Sequence, residues 1–482
     1  MAVAAKGVWA RRLNGPVNGA GFWVLCLGLG LAIAPPAAGV ELSTEVAFTT
    51  DLAQLQLAQA TGTEAERELA QLLVRGRAAY QAEDFAQAQR LWRWAVTVAQ
   101  ERGPLEGEGL ALSLVALASV KLGRLDEAAI ALERGTAIAQ QVPEYKQQGL
   151  EVRLTMAQGQ LALARGDGQR AVSKFQAAEK IYRDLGDRVG AVGAALNSAE
   201  ALRSLGLYQR GLRVLLKQRS QLSDLAERSP KVAAQGWLSL GNSFRQLGQF
   251  EEALTALGRS LEISRGLSEG LEGSGGAIDG GPIEAIEVSL GLTHLAMARR
   301  GQAAGDGAAA RQGKRGALQF LRFGTERSPE LKVRSRLALV EAELFPRRRL
   351  SGVEQEGAFQ GWLALRSTLE AMPPTRRSIG VGLEWVRHGW ETYDWGVNPE
   401  TVQTALVGEL KRLAAAAEQL GDLRSQSQVL GTLGEIYGRA GRAVEAQALW
   451  RQSLQLANSA NAPEAAYRWH WLLGKSLAKS GD

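Results

Sequence analysis

Two short stretches contain residue types that could do chemistry. Residues 307–315 place two glycines and Lys314 in the order of a phosphate-binding loop. The gap between the glycines is five residues rather than four, and Arg315 stands where Ser or Thr is needed. Ser476 and Lys479 have the spacing of an acyl-transfer nucleophile and its lysine, but the companion motifs are missing from the sequence. Neither stretch predicts a catalytic site.

Residues that usually hold metals or move protons are scarce. The chain of 482 residues has three widely spaced histidines and one cysteine. We expect His294, His388 and His470 to be packing or helix-surface residues, and the sequence has no His-Glu-x-x-His zinc motif. Hydrophobic content of 45% and charged content of 22% are ordinary for a globular protein and exclude wholesale disorder. The sequence therefore predicts a folded protein that is not an enzyme and needs no metal or cofactor.

The first 39 residues have the composition of a secretory signal peptide. Three cations and no acid accompany an apolar run of 13 residues at 22–34, and small residues follow at 37 and 39. The run is shorter than the roughly 20 residues of a membrane span. The residues after Arg11-Arg12 are not apolar, which favours a Sec-type signal over a twin-arginine signal. We predict cleavage after Gly39, export to a periplasm, a lumen or the exterior, and no membrane span in the mature chain.

Removal of this leader changes what the rest of the chain can do. Cys26 is the only cysteine, so the mature chain has no disulfide even in an oxidising compartment. The formal net charge falls from +6 to +3, because the leader carries three cations and no acid.

Glycines recur at a near-constant spacing after amphipathic stretches. The first four are 40 to 43 residues apart and the last two are 40 apart: Gly123, Gly166, Gly206, Gly248, Gly441 and Gly481. A small residue stands seven positions before each of them, namely Ala116, Gly159, Ala199, Gly241, Gly434 and Gly474. Two helices approach closely only where the facing side chains are small, and a turn glycine accepts positive φ. The spacing therefore predicts helical hairpins.

Prolines occur in the same phase. Five of them stand just before the first helix of a predicted hairpin, where a missing N–H has no partner to lose: Pro104, Pro143, Pro230, Pro282 and Pro463. Ala, Leu, Gln, Glu and Arg dominate, and strand-type alternation is rare. We predict an all-α array.

Residues 234–260 resemble the tetratricopeptide repeat (TPR). The matching residues are Trp237, Leu240, Gly241, Phe244, Gly248, Phe250, Ala253 and Leu257. Residues 427–453 and 69–95 are similar to the same consensus at fewer positions. The resemblance implies a right-handed superhelix of TPR-like hairpins, with a period of about 40–43 residues that exceeds the usual 34.

These observations predict six segments. They are a signal peptide at 1–39, a linker or leading helix at 40–66, about five TPR hairpins at 67–265, a Gly-rich loop at 266–282, diverged and basic helical repeats at 283–400, and C-terminal TPR-like repeats at 401–482.

Residues 414–471 resemble the TPR half of bacterial, especially cyanobacterial, TPR–CHAT proteins. In that family the repeats precede a caspase-like peptidase domain with a His–Cys dyad, which is absent here because no cysteine remains in the mature chain. The chain stops at Asp482, directly after the turn glycine of its last unit, so we expect a half hairpin there. Two interpretations stay open. Either the chain is the truncated or split recognition arm of a CHAT-type peptidase, or its open end docks on a partner.

A basic segment lies between Arg299 and Arg349, with 13 Lys and Arg against five acids. It could form a patch for an anionic envelope surface, centred on Arg347, Arg348 and Arg349, or it could be an ordinary solvated helix face. Nucleic acid is disfavoured as a partner because we expect the protein to be exported.

Aromatic residues cluster just after Pro373-Pro374. Trp385, Trp390 and Tyr393 roughly follow helical spacing, which favours a place in the core; the alternative is an exposed stacking surface for a sugar or peptide. Trp395 and Trp362 fit either interpretation.

The TPR resemblance implies that the first helix of each hairpin lines a concave groove for a protein or peptide partner. Its groove positions in this chain are Arg77, Tyr80, Asn197, Glu200, Arg203, Asn242, Arg245, Gln246, Glu435 and Arg439. Asn and Arg at such positions can hydrogen-bond a peptide backbone or pair with a carboxylate. We predict a non-catalytic, exported scaffold that binds a protein or peptide.

Overall fold

The computed structural model describes residues 62–271, 281–321, 328–344, 352–391, 399–460 and 462–480. These residues form 20 helices and no strand, which confirms the predicted all-α superhelix of TPR-like hairpins. None of the helices in these ranges combines the length and the hydropathy needed to cross a bilayer. The predicted signal peptide and Arg347, Arg348 and Arg349 lie outside the described residues, as do Tyr393 and Trp395.

The helices follow one another as two-helix hairpins. The first five hairpins pair α1 (Glu64–Gln81) with α2 (Phe85–Arg102), α3 (Leu105–Lys121) with α4 (Leu125–Ala139), α5 (Glu144–Ala164) with α6 (Gly168–Asp184), α7 (Arg188–Ser204) with α8 (Tyr208–Lys217), which the short α9 (Arg219–Arg228) follows, and α10 (Pro230–Gln246) with α11 (Phe250–Leu271).

The hairpin arrangement continues through the basic and C-terminal segments. It pairs α12 (Gly281–Ala303) with α13 (Gly307–Leu321), α14 (Pro329–Leu344) with α15 (Gly352–Ala371), α16 (Arg376–Glu391) with α17 (Pro399–Gln419), and α18 (Leu423–Arg439) with α19 (Ala443–Ser459). The last described helix is α20 (Pro463–Ser480).

The prolines and turn glycines have the structural roles that their spacing predicts. Pro104 and Pro143 are the N-cap residues of α3 and α5, and Pro230, Pro282 and Pro463 lie in the first turn of α10, α12 and α20. The φ angle of Gly166 is +82° and that of Gly248 is +75°, in the left-handed region that favours glycine. These turns join the two helices of a hairpin.

The Gly-rich segment differs from the prediction of a loop over 266–282. α11 continues through Leu271 and α12 begins at Gly281, so both ends of that segment are helical. Leu and Glu between the glycines are good helix formers, and two glycines cost only about 1 kcal/mol each. An ion pair of 3.6 Å between Arg265 and Glu287 also joins the two helices.

In several hairpins, a small residue on one helix faces a large side chain on the other. A Cβ atom built on Gly159 would lie 2.5 Å from the Phe175 ring, and one built on Gly241 would lie 2.5 Å from Cγ of Leu257. Gly434 has the same relation to the buried indole of Trp450, at 2.8 Å. The predicted pairing of small and large residues therefore sets the distance between the two helices.

The first helices of the hairpins form the inside of the curve, which we call the inner wall. Each first helix packs on its own second helix, and successive first helices from α7 to α18 also contact one another. In a curved stack of hairpins, the helices on the concave side lie closer to one another than those on the convex side. Residues at the free positions of these helices therefore face a shared concave surface.

The curve brings early hairpins against late ones. Arg376, at the start of α16, donates a hydrogen bond of 3.0 Å from Nη1 to the carbonyl of Leu163 in α5. Its Nε lies 3.4 Å from the carboxylate of Asp422, which also contacts the turn at Gly166. Buried residues of α1–α5 and α14–α18 belong to one hydrophobic cluster. We call this contact, made by Leu163, Gly166, Arg376 and Asp422, the seam.

We expect Gly159→Ala to lower the free energy of unfolding by about 1–3 kcal/mol, because its new methyl group would overlap the Phe175 ring. The matched control is Gly258→Ala in α11, where nothing lies within 4 Å of the added Cβ. That change should raise stability by about 0.5–1 kcal/mol through helix propensity. Denaturant unfolding of both variants checks the pair, and equal effects would contradict the packing argument.

We expect Asp422→Ala to cost about 3–5 kcal/mol, because it leaves Arg376 buried without its carboxylate. Asp422 also caps α18 through the Ser425 N–H at 3.1 Å. Asp167→Ala removes a similar cap, to the Arg170 N–H at 3.0 Å, on the exposed start of α6 and should cost only about 1 kcal/mol. The difference between the two unfolding free energies measures the seam, and equal losses would show that the cap is the whole effect.

Candidate functional site

The middle of the inner wall brings together six of the residues predicted to line the groove. Asn197, Glu200 and Arg203 lie on α7, and Asn242, Arg245 and Gln246 lie on the neighbouring α10. Asn197, Arg203 and Asn242 are buried, whereas Glu200, Arg245 and Gln246 are half-buried. These side chains form one polar surface between two hairpins whose remaining faces are apolar.

Arg203 is held by a carboxylate on its own helix. It forms an ion pair with Glu200, one turn earlier, and only 2% of its side chain is exposed. Burial, together with the positive charge of nearby Arg245, lowers the pKa of Arg203 to about 10, and Tyr208 acts in the opposite direction. Its Nε and Nη1 atoms are buried without a hydrogen-bond partner among the described residues.

Arg245 has weaker support than Arg203. Its one hydrogen bond among the described residues runs from Nη2 to the Asn242 side-chain oxygen at 3.3 Å, and its buried Nε has none. Burial lowers the pKa of Arg245 to about 10, and the positive charges of Arg334 and Arg299 contribute to the decrease. Glu384 acts in the opposite direction. Among the residues that the structure describes, no carboxylate is bound to the Arg245 guanidinium, and two nearby arginines oppose its charge.

The neighbouring cations of the inner wall are compensated. Arg334 on α14 donates from Nε and Nη2 to the two carboxylate oxygens of Glu384 on α16, both at 2.9 Å. Arg299 on α12 binds Glu341 on α14 in the same two-pronged way, with 2.6 Å at its Nε. The sequence analysis assigned Arg299 to the basic segment and not to the groove. Arg299 lies six positions before the turn glycine Gly305, as Asn242 lies six positions before Gly248, so its repeat position could have indicated the groove.

Amide side chains on the same surface also lack partners. The Asn197 amide nitrogen, both amide atoms of Gln246 and the side-chain oxygen of Gln235 are buried without hydrogen bonds among the described residues. Such groups are costly to bury and are usually satisfied by protein or water. Together they offer both donors and acceptors, as a peptide backbone requires.

The structure separates the other predicted groove residues from this surface. Tyr80 lies in the core of the first hairpin rather than in the groove, because its ring packs 4.9 Å from Phe85 and 5.5 Å from Trp92. Arg77, on the same helix, is half-buried. Near the other end of the array, Glu435 accepts a hydrogen bond of 2.9 Å from Arg468 on α20.

Exposed Arg439 stacks over the ring of half-buried Trp390, with 4.4 Å between its guanidinium carbon and the ring centroid. Trp362 and Trp385 lie in the core: both are fully buried, and they stack with centroids 4.0 Å apart and planes 7° apart. Each indole N–H donates to the carbonyl of the other tryptophan, at 3.0 Å and 2.8 Å. This reciprocal bonding leaves neither indole for a ligand.

The basic segment is partly neutralised in the structure. Arg300 pairs with Glu251 at 2.6 Å, and Arg334 pairs with Glu384, so both use acids from outside the segment. A charge count over 299–349 therefore overstates the positive charge that this part of the surface presents.

His294, His470 and the serine motif at residues 266–270 do not form a catalytic site. His294 packs on Phe320, its pKa lowered by burial, and His470 is exposed, as expected for packing and surface residues.

Residues 266–270 read Gly-Leu-Ser-Glu-Gly, a nucleophile pattern that was missed in the sequence analysis. They lie inside α11, whereas that chemistry needs a strand-to-helix turn. Among the described residues, no group of three or more His, Cys, Asp or Glu is placed to hold a metal.

Comparison with known proteins identifies one repeat. The tetratricopeptide repeat family model matches residues 234–266, which cover most of the hairpin of α10 and α11. No curated protein matches the sequence.

Solved structures with similar helical arrangements share little sequence with this chain. The apo form of the quorum sensor NprR from B. thuringiensis is 13% identical, with a TM-score of 0.43, and the match covers 82% of this chain and 99% of that one. The apo form of RapI is 12% identical, with a TM-score of 0.42 and the same coverage. Yeast Tom70 is 11% identical, with a TM-score of 0.34, over 86% of this chain and 97% of that one. Similarity at this level does not identify a ligand.

We expect Arg245→Met to raise the free energy of unfolding by about 1–3 kcal/mol, because it replaces a poorly compensated charge with an apolar side chain of similar length. The sign follows from the lowered pKa: a group that holds its proton less tightly in the folded state has a charge that opposes folding at neutral pH. Arg334→Met is the matched control. It should lose about 3 kcal/mol, because Glu384 is left without its partner. Denaturant unfolding at pH 7 measures both, and a loss for Arg245→Met would contradict the assignment.

Proposed function

We propose that this protein is an exported, non-catalytic scaffold that binds a protein or peptide segment on its inner wall. The observation that carries the proposal is the set of unpartnered polar atoms on α7 and α10, which lie on the concave side of a stack of helical hairpins. The TPR match at 234–266 includes α10, which supports a role in macromolecular recognition for that hairpin.

The chemistry of these atoms favours an extended segment. The Gln246 amide supplies one donor and one acceptor, the Asn197 amide supplies a donor, and the Gln235 oxygen supplies an acceptor. An extended peptide presents N–H and C=O groups alternately, so it can satisfy both kinds of atom at once. A purely apolar ligand would leave all of them unsatisfied.

Export is supported by the leader alone. Residues 1–39 have the basic head, short apolar core and small-residue end of a Sec-type signal. A non-catalytic role is supported by the helical context of residues 266–270, which differs from the strand-to-helix turn that their motif needs, and by the lack of companion motifs for Ser476 and Lys479 in the sequence.

The resemblance of residues 414–471 to TPR–CHAT proteins supports a second role for the same surface, as the recognition arm of a split CHAT-type peptidase. Translation of the DNA downstream of codon 482 in all frames tests it. A helix-forming segment followed by a domain with His and Cys would support this role, and unrelated sequence would contradict it.

A third role, binding to an anionic envelope surface, is supported by the charge of residues 299–349. Salt-sensitive retention on anionic vesicles that is lost when Arg347, Arg348 and Arg349 are neutralised would favour it.

Site-specific cross-linking tests the main proposal. In a Cys26→Ser background the chain has no other cysteine, so Gln246→Cys and Arg259→Cys each give a single attachment point for a benzophenone maleimide. Gln246 lies on the inner wall, whereas Arg259 is exposed on the second helix of the same hairpin and pairs there with Glu262. We expect a discrete cross-linked product with native envelope protein from position 246 and none from position 259.

The control disrupts the polar surface of α7 and α10 and keeps the cross-linker at position 246. Arg203→Glu in the Gln246→Cys chain should abolish the product, because it places a second carboxylate beside Glu200. Equal products from positions 246 and 259, or a product that survives Arg203→Glu, would contradict binding on the inner wall.

A further inference from the structure

The outer face of α20, the last described helix, exposes two aromatic side chains. Tyr467 is 75% exposed and Trp471 is 47% exposed, although most large apolar side chains of the described hairpins are buried. Gly474 and Ala478 are exposed on the same helix, and Lys475 lies over the Trp471 ring with 4.9 Å between Nζ and the ring centroid. Single apolar residues are ordinary at a surface, but several on one helix face indicate an interaction site.

Gly474 leaves an opening that is filled at the equivalent position of other hairpins. It stands 40 residues after Gly434, whose Cβ position lies against the indole of Trp450 on the second helix of that hairpin. The Cβ position of Gly159 lies against the Phe175 ring in the same way. Among the described residues, nothing lies within 4 Å of a Cβ built on Gly474. The position is therefore shaped for a large apolar side chain that none of the described residues supplies.

The first helix of the preceding hairpin, α18, shows which residues this face has when other helices cover it. Ser427 and Gly431 stand 40 residues before the two exposed aromatic residues, and both contact the Trp469 indole of α20. A further hairpin that stacked on α20 as α20 stacks on α18 would meet two aromatic rings where α18 offers small residues. The face of α20 thus combines projecting rings with an opening, which does not fit another repeat of the same kind.

The projecting rings and the small residues match one another across a two-fold axis. Positions 467, 471, 474 and 478 have the spacing of four, three and four residues that a coiled-coil seam uses. When two copies of α20 lie antiparallel about an axis midway between positions 471 and 474, Trp471 of each copy faces Gly474 of the other. Tyr467 then faces Ala478. A two-fold interface uses the same patch on both partners, so it requires a patch that contains its own complement.

We infer that a second copy of this chain packs on the outer face of α20, with Trp471 of each copy in the opening at Gly474 of the other. Lys475 is the one charged residue among the exposed described positions of this face, and its long stem lets the ammonium group stay in water. The inference does not depend on the proposed function, because the surface lies on α20 and not on α7 and α10. One pair of helices is a small interface, so we expect a Kd of about 1–100 µM.

Sedimentation velocity of the full chain over a range of concentrations tests the inference. We expect the sedimentation coefficient to rise with concentration towards that of a dimer. Trp471→Glu should raise Kd by at least about 10-fold, because it removes the apolar anchor and places a carboxylate in the contact. Ile130→Glu is the matched control: it introduces the same charge at a residue that is 66% exposed on α4 and should leave Kd unchanged.

An exchange of sizes tests the antiparallel register. Trp471→Ala removes the projecting ring and Gly474→Trp fills the opening, so each change alone should raise Kd by about 10-fold or more. The double variant should return Kd to within about threefold of the original, because the new ring at position 474 then faces the new methyl group at position 471 of the second copy. Both positions are exposed, so the variants are expected to fold, and thermal unfolding by circular dichroism checks this.

The remaining outcomes contradict the inference in different ways. A chain that stays monomeric at every concentration, or a dimer that survives Trp471→Glu, would show that α20 does not hold a second copy. A monomer whose Tm falls in Trp471→Glu would show that a segment of the same chain covers the face instead. A double variant no better than the single ones would overturn the antiparallel register. None of these results affects the cross-link from position 246, which decides the proposed function independently.

Discussion

The close approach of two helices at a small residue is the constraint on which the rest of the structure depends. A glycine such as Gly159 or Gly241 leaves room for one large side chain of the partner helix, and that side chain fixes the distance and the register of the hairpin. The same contact recurs from hairpin to hairpin, so the stack curves steadily. The inner wall and the seam are both products of that curvature.

The inner wall shows what this regularity makes possible. Hairpins that are stabilised by apolar contacts between their own helices can carry polar groups on the remaining face at a tolerable cost. Arg334 and Glu384 satisfy each other across α14 and α16, whereas Arg245 is left with an amide oxygen. Under the proposed function, stability and recognition make opposite demands on α10, as is common at binding surfaces.

The hairpins could be predicted because each has short-range sequence signals. A turn glycine, a small residue seven positions earlier and an initial proline all act within one hairpin, so their spacing alone predicts helical units from α3 to α11 and again from α18. Tyr80 shows the limit of this reasoning. Its position in the repeat is one that lines the groove in TPR proteins, but its ring packs beside Trp92 in the core, which the sequence pattern does not show. The stacked pair of Trp362 and Trp385 depends on packing in the same way.

Contacts between distant hairpins have no such signals in the sequence. The hydrogen bond from Arg376 to Leu163 joins residues 213 positions apart, and no pattern near either residue indicates it. It exists only because each hairpin is rotated slightly relative to the one before it, and these rotations add up to bring α5 and α16 together. Sequence reasoning therefore could not predict the seam. The ion pairs between neighbouring hairpins, such as that of Arg334 with Glu384, are also set by packing rather than by a local sequence pattern.

The seam has a consequence for how the chain folds. A linear repeat array can begin folding at any unit and spread to its neighbours. Here the hydrogen bond from Arg376 to Leu163 closes a loop of more than 200 residues, and the native contacts of the seam must offset the entropy of that closure. Contacts so far apart in sequence slow folding and couple the first hairpins to the last. A stack of local units is thereby held together by contacts like those of a globular domain.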